Sequence, residues 1–319
     1  MATILLSEAS KLGYDDLSAG VADAVITADG FLPMLPFNLM QGNAYAFNRE
    51  GTPGDVASLA IGGSTSGVKT QVTFDKQTIS LVSIIGDAEV NGLIAAQGAG
   101  TGAGADPISA AIASKAKQVG REYARQVAVG NATTPTTSVS GVSNTAEFDG
   151  LETLLATAAF TSQVLDKADA ALTLDMLDEL IYAVTKGDAE FIMGTGAAIR
   201  KIRSLLRALG GTSQVEVGGK VYDAFNGIPL IRNDFLSADI DGVTAGNQTN
   251  IYAGLFDDGT RTMGVSGVLP MGNDSGAGIQ VVPVGPAEAG DYDIYRIKMY
   301  GSFAIHSVKA IAQLKSVTV

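Results

Sequence analysis

The spacing of apolar residues changes several times along the chain, and each change predicts a different element. Leu17, Val21 and Val25 recur every four residues and give one apolar face to a short helix over 15–28, ended by Asp29-Gly30. In the next stretch, FLPMLPF, Pro33 and Pro36 stand three apart, which forbids a regular helix and favours an extended arm. Its Phe31, Leu32, Leu35 and Phe37 then need a surface to lie on, and the expected surface is a neighbouring subunit. Residues 44–86 read as two strands, AYAFNR and TQVTFDKQTISLVSII, around a long tip rich in Gly, Ser and Thr. On the returning strand Val72 and Phe74 alternate with polar neighbours, and Ile79 and Leu81 continue. Val82 and Ile84 then take the opposite phase, the mark of a bulge or a change of partner. A two-stranded ribbon is marginal alone in water, so contacts from elsewhere should support it.

Beyond a glycine-alanine stretch at 98–105, Asp106 can cap a helix with Pro107 at its first position, and Gly130 or Asn131 can close it. Ile108, Ile112, Val119, Tyr123 and Val127 form its apolar stripe. At roughly 24 residues, hence about 36 Å, it is the longest helix expected. Lys117, Arg121 and Arg125 make a second, basic stripe that reads as a solvated face. A Thr/Ser-rich link at 133–143 and an apolar segment at 148–159 follow. Thr173 caps a helix carrying Leu174, Leu177, Ile181 and Val184, with Gly187 as its stop. The strand AEFIM turns through Gly194-Thr195-Gly196 into a helix, AAIRKIRSLLRAL. VEV-GG-KVY at 215–222 signals a two-residue hairpin. FNGIPLI, NIYAGLF and IQVVPV read as strands, and the segment from Asp291 onward as two long strands meeting near Gly301. The mixture has no regular βαβ rhythm, so the class is α+β.

Composition narrows the chemistry. Hydrophobic residues make up 46% and charged ones 17% of 319, with 39 glycines, the profile of a folded chain with many tight turns. The net charge of −12 repels phosphate and removes the electrostatic drive for general DNA binding. No cysteine is present, which excludes disulfides, thiolate metal sites and thiol nucleophiles. The apolar run Ile4-Leu5-Leu6 has no basic residue before it and fails the pattern of a secretory signal, and no segment is long enough to span a membrane.

His306 is the only histidine, set in a strand pattern that reads as structural. Gly194-Thr195-Gly196 lacks the third glycine of a dinucleotide turn, because Ile199 stands there, and no GxxxxGK[ST] occurs. GVSGV at 264–268 is not a nucleophile elbow, and the pairs Asp239/Asp241, Asp257/Asp258 and Asp291/Asp293 lack calcium-loop spacing. The expectation is a chain without catalytic residues, metal or cofactor, hence not an enzyme.

Four phrases, in order, carry a resemblance: GNAYAFNREGTPG at the start of the ribbon; FIMGTGAAIRKIRSLL; VYDAFNGIPLIRNDFL; and YRIKMYGSFAIHSVKAIAQLKSV at the end. With the amino-terminal arm and the long helix 106–129, they resemble the major capsid proteins of tailed bacteriophages, whose fold encapsulins and the herpesvirus capsid floor share. The resemblance covers nearly the whole chain. It implies an amino-terminal arm (1–40), an extended β-ribbon loop (41–90), a peripheral domain with its spine helix (91–187), an axial domain (188–286) and closing strands returning to the peripheral domain (287–319).

It also implies a structural subunit of an icosahedral shell, assembled in the host cytoplasm. Pentamers and hexamers of the chain would enclose double-stranded DNA without sequence-specific binding, with a portal, a possible decoration protein and no membrane. The family's self-scaffolding extension is absent, which implies either its removal by a protease or a separate scaffolding protein, the latter being the expectation that Met1 favours. Covalent cross-linking through Lys69 or Lys76 has no marked partner. A shell made of one chain needs large self-complementary surfaces. The expected interface residues are therefore Phe31, Leu35 and Phe37 of the arm, Val72, Phe74 and Ile79 of the ribbon, and Arg49 and Glu50 as charges pairing across the contact. Gly98, Gly100, Gly102 and Gly104, before the spine helix, form the expected expansion hinge.

Overall fold

Two sheets and one long helix organise the chain, of which the computed structural model describes residues 30–42, 44–51, 53–64, 71–94, 96, 107–135, 145–184, 189–211, 213–237, 248–271, 278–288 and 290–319. The helix, α1 (Pro107–Val129), runs where its apolar stripe predicts. Val119, Tyr123 and Val127 are buried against β4 (Val82–Asn91) and β13 (Tyr292–Ile305).

Strand β13 is the axis of the first sheet. It pairs antiparallel with β4 along residues 292–301, with β12 (Gln280–Pro286) on its other edge, and finally with β11 (Val265–Pro270). Strand β1 (Phe37–Met40) joins β11 in parallel.

Gly301 does not break this strand; it makes room for the helix. A Cβ there would stand 2.7 Å from the Tyr123 ring, and one at Gly267 would stand 2.8 Å from the Tyr123 hydroxyl, which donates to the Ser302 carbonyl at 3.0 Å. The glycines let the ring lie directly on the sheet. The break between the closing strands falls instead at 306–310, before β14 (Ile311–Thr318).

Strand β14 does not return to the first sheet. It belongs to a second, seven-stranded sheet ordered β5-β14-β10-β6-β9-β8-β7. The others are β5 (Val164–Asp166), β6 (Phe191–Gly194), β7 (Ser213–Val217), β8 (Lys220–Phe225), β9 (Ile228–Arg232) and β10 (Gln248–Gly254). Alternation along these strands serves two cores. Phe191, Met193, Ile231 and Tyr252 join the core beneath α1, while Ile192, Leu230, Ile251 and Ala253 face the helices on the other side. Those helices are α3 (Leu174–Ala183), over β14 and β10, and α4 (Gly196–Ala208), over β6 and β9. The short α2 (Leu151–Leu155) packs below α1.

Thr173 and Thr195 cap α3 and α4 by accepting from the Met176 and Ala198 amides, each at 3.4 Å. The Thr195 hydroxyl also bonds Thr249 at 3.0 Å, so the Gly-Thr-Gly turn is occupied by the chain's own groups. The expected hairpin turns at Gly218-Gly219, both at positive φ. FNGIPLI is not one strand: Asn226 and Gly227, also at positive φ, form a second two-residue turn between β8 and β9.

The arm differs from its expectation. Residues 32–34 form a turn of 3-10 helix rather than an extended strand, and Phe31 and Leu35 are 1% and 4% exposed in the chain's own core. Phe31 packs edge-on to Phe191 with ring centroids 5.1 Å apart. The prolines are compatible with this because Pro33 opens the short turn, where a missing N–H costs nothing. The helix expected over 15–28, its Asp29-Gly30 stop, the Asp106 cap, the Gly187 stop and the glycine hinge lie outside the described residues or at their edge.

Candidate assembly interface

The ribbon forms as its alternation predicts. Strand β2 (Tyr45–Glu50) pairs antiparallel with β3 (Phe74–Ile79), from Tyr45 opposite Ile79 to Glu50 opposite Phe74. The phase slip after Ile79 is a change of partner, because β3 ends there and β4 begins on β13.

Buried polar groups clamp the root of this ribbon to the body. The Tyr45 hydroxyl and His306 Nε2 are 2.8 Å apart, and burial pushes the tyrosine pKa up and the histidine pKa down, favouring the uncharged form of each. Asn38 Nδ2 donates to Asp257 at 2.5 Å and to the Ser266 hydroxyl at 3.0 Å, and the Arg261 guanidinium lies 5.7 Å over the Tyr45 ring. Arg49 does not reach outward. Its guanidinium donates to the carbonyls of Ile305 at 2.5 Å and His306 at 3.1 Å, between the rings of Phe47 and Phe160. The charge pairing expected across subunits is spent inside the subunit, while Glu50 is exposed. Ile79 also packs inward, against the small core of Met40 and Tyr45. A cleft of about 300 Å³ lies beside the root, lined by Arg49, Ile79, Glu147, Phe148 and Phe303 among others.

Farther out the ribbon is bare. Phe74 is 71% and Val72 41% exposed, and on the extended tip Val56 and Ile61 stand fully in solvent. Phe37 is also partly exposed. Sequence reasoning passed over Val56, Leu59 and Ile61 because the surrounding glycines and serines read as a polar loop. Their signal was an apolar trio inside such a loop. It read IQVVPV as a strand but not as an edge, where Val281, Val282 and Val284 of β12 are exposed. Open apolar surface of this kind marks an interaction site.

The basic stripe of α1 is not simply solvated, since Arg125 pairs with Glu122 and with the buried Glu147, each at 2.6 Å. Among the described residues no group of three His, Asp or Glu could hold a metal ion, and no helix is long and apolar enough to cross a membrane.

The sequence matches no protein-family model and no curated protein. Solved structures match over essentially the full length. The holo-SrpI encapsulin complex from Synechococcus elongatus PCC 7942 superposes with a TM-score of 0.71 at 18% identity, covering 100% of this chain and 97% of that one. The capsid asymmetric unit of cyanophage A-1(L) gives 0.66 at 14% identity, with 96% and 97% covered. The chain has the capsid-shell fold. The capsid of an empty GTA particle gives 0.62 at 10% identity, with 99% and 98% covered.

Proposed function

We propose that the chain is the structural subunit of an icosahedral viral capsid, a non-enzymatic protein that assembles into pentamers and hexamers around double-stranded DNA. One observation carries the reading: the subunit holds Val56, Leu59, Ile61, Val72 and Phe74 out on a ribbon clamped at its root, where its own cores do not cover them. Each aliphatic side chain fully buried by a neighbour stabilises the contact by roughly 1.5–3 kcal/mol. A rigid root with an apolar tip suits a subunit that lies over its neighbour, and repetition around an axis closes a ring. The net charge of −12 fits a wall that does not hold the genome tightly. Assembly in the host cytoplasm with a separate scaffolding protein, a portal and a possible decoration protein completes the reading.

A second reading, a protein-filled nanocompartment, is favoured by the 0.71 TM-score of the encapsulin match. Particles purified from the native source decide between them. The capsid reading expects nuclease-protected double-stranded DNA inside the shells; shells filled only with a protein cargo contradict it.

A further inference from the structure

The two helices over the seven-stranded sheet carry opposite charge. Helix α3 holds the three acids Asp175, Asp178 and Glu179 and no base; α4 holds the four bases Arg200, Lys201, Arg203 and Arg207 and no acid. The charges follow helical spacing. Asp175, Glu179 and Tyr182 form one exposed stripe on α3, ending in a tyrosine that is 82% exposed, and Arg200, Ser204 and Arg207 form one on α4, beside the 75% exposed Leu209.

Intramolecular pairing accounts for part of this charge. Glu179 meets Lys167, Asp178 accepts from the Asn226 side chain at 3.0 Å, and Arg203 meets Asp223 at 2.5 Å. Asp175, Arg200 and Arg207 have no ion pair among the described residues.

Position turns this asymmetry into a recognition element. In the sheet order, α3 lies over the half ending in β5 and α4 over the half ending in β7. A surface acidic on one flank and basic on the other complements a second copy of itself, and like flanks repel, so the field selects both partner and orientation. We propose that the axial contact between adjacent subunits sets the acidic α3 face of one copy, with Tyr182, against the basic α4 face of the next, with Leu209. This deepens the shell reading and rests on it. Arginine stacks on aromatic faces, so Tyr182 adds an uncharged anchor to the pairing.

Charge reversal tests it. Arg200→Glu with Arg207→Glu turns the exposed stripe of α4 acidic like that of α3 and is expected to leave the melting temperature within a few degrees while cutting the yield of rings and shells about tenfold or more. Adding Asp175→Lys and Glu179→Lys in the same chain restores opposite flanks and is expected to restore assembly, with raised salt weakening the wild-type and rescued contacts alike. Assembly of the first variant at wild-type yield, or failure of the second to recover while still folded, overturns the pairing. Normal shells that have lost only their DNA would assign α4 to the genome and also overturn it. A wild-type chain that never assembles instead removes the shell reading beneath it.

Discussion

At the scale of single residues, a few buried side chains hold the ribbon root to the body. His306 titrates at 6.5 when free, and its burial beside Tyr45 holds the pKa below that value. The folded state therefore prefers the neutral ring. Its stabilising contribution is complete above the unfolded pKa and is lost as pH falls through the folded one. Thermal melts of the subunit are expected to show stability declining as pH drops below about 6.5, and His306→Gln to flatten that part of the slope. Glu152 has the opposite sign. It is partly buried, its pKa is raised chiefly by desolvation, and it accepts from the Ser237 amide at 3.2 Å and hydroxyl at 3.0 Å. Its contribution is lost as pH rises through the raised pKa, so Glu152→Gln, which keeps one acceptor oxygen for the Ser237 amide, offers its NH2 to the Ser237 hydroxyl and removes the charge, should melt at the same temperature or higher at neutral pH. Glu152→Ala, which orphans both Ser237 donors, should cost about 1–3 kcal/mol. Gly301→Ala drives a methyl into the Tyr123 ring and should destabilise the subunit by about 1–3 kcal/mol in chemical denaturation.

At the scale of elements, the alternation of Val72 with Phe74 and of Ile79 with Leu81 made the ribbon legible, and the slip at Val82 located the switch from β2 to β13. The stripe on α1 was equally plain, because a helix on a sheet needs one continuous apolar face. The arm was not, since two prolines three apart describe a short 3-10 turn as well as an extended strand. Only the third dimension shows that Phe31 lies on Phe191. Arg49 was misread for the same reason: its partners are carbonyls more than 250 positions away, and backbone acceptors leave no trace in sequence. Replacing 53–64 by a short turn tests the ribbon directly. The subunit should keep its melting temperature, because these residues stand outside the three cores, and should lose stable shells in gradient sedimentation.

At the scale of the molecule, Phe191, Ile231 and Tyr252 of the seven-stranded sheet share one core with α1 and the strands around β13, so the two sheets are packed together through common side chains. The surface outside that core offers a bare apolar tip, an open edge at β12 and two helix faces of opposite charge. Direct imaging of the purified chain by electron microscopy, over rising concentration and with its natural scaffold where required, tests whether copies complete one another there. Closed shells with the ribbon of each subunit lying on its neighbour are the expected result; a chain that stays monomeric at high concentration, with the tip folded onto its own body, would contradict it.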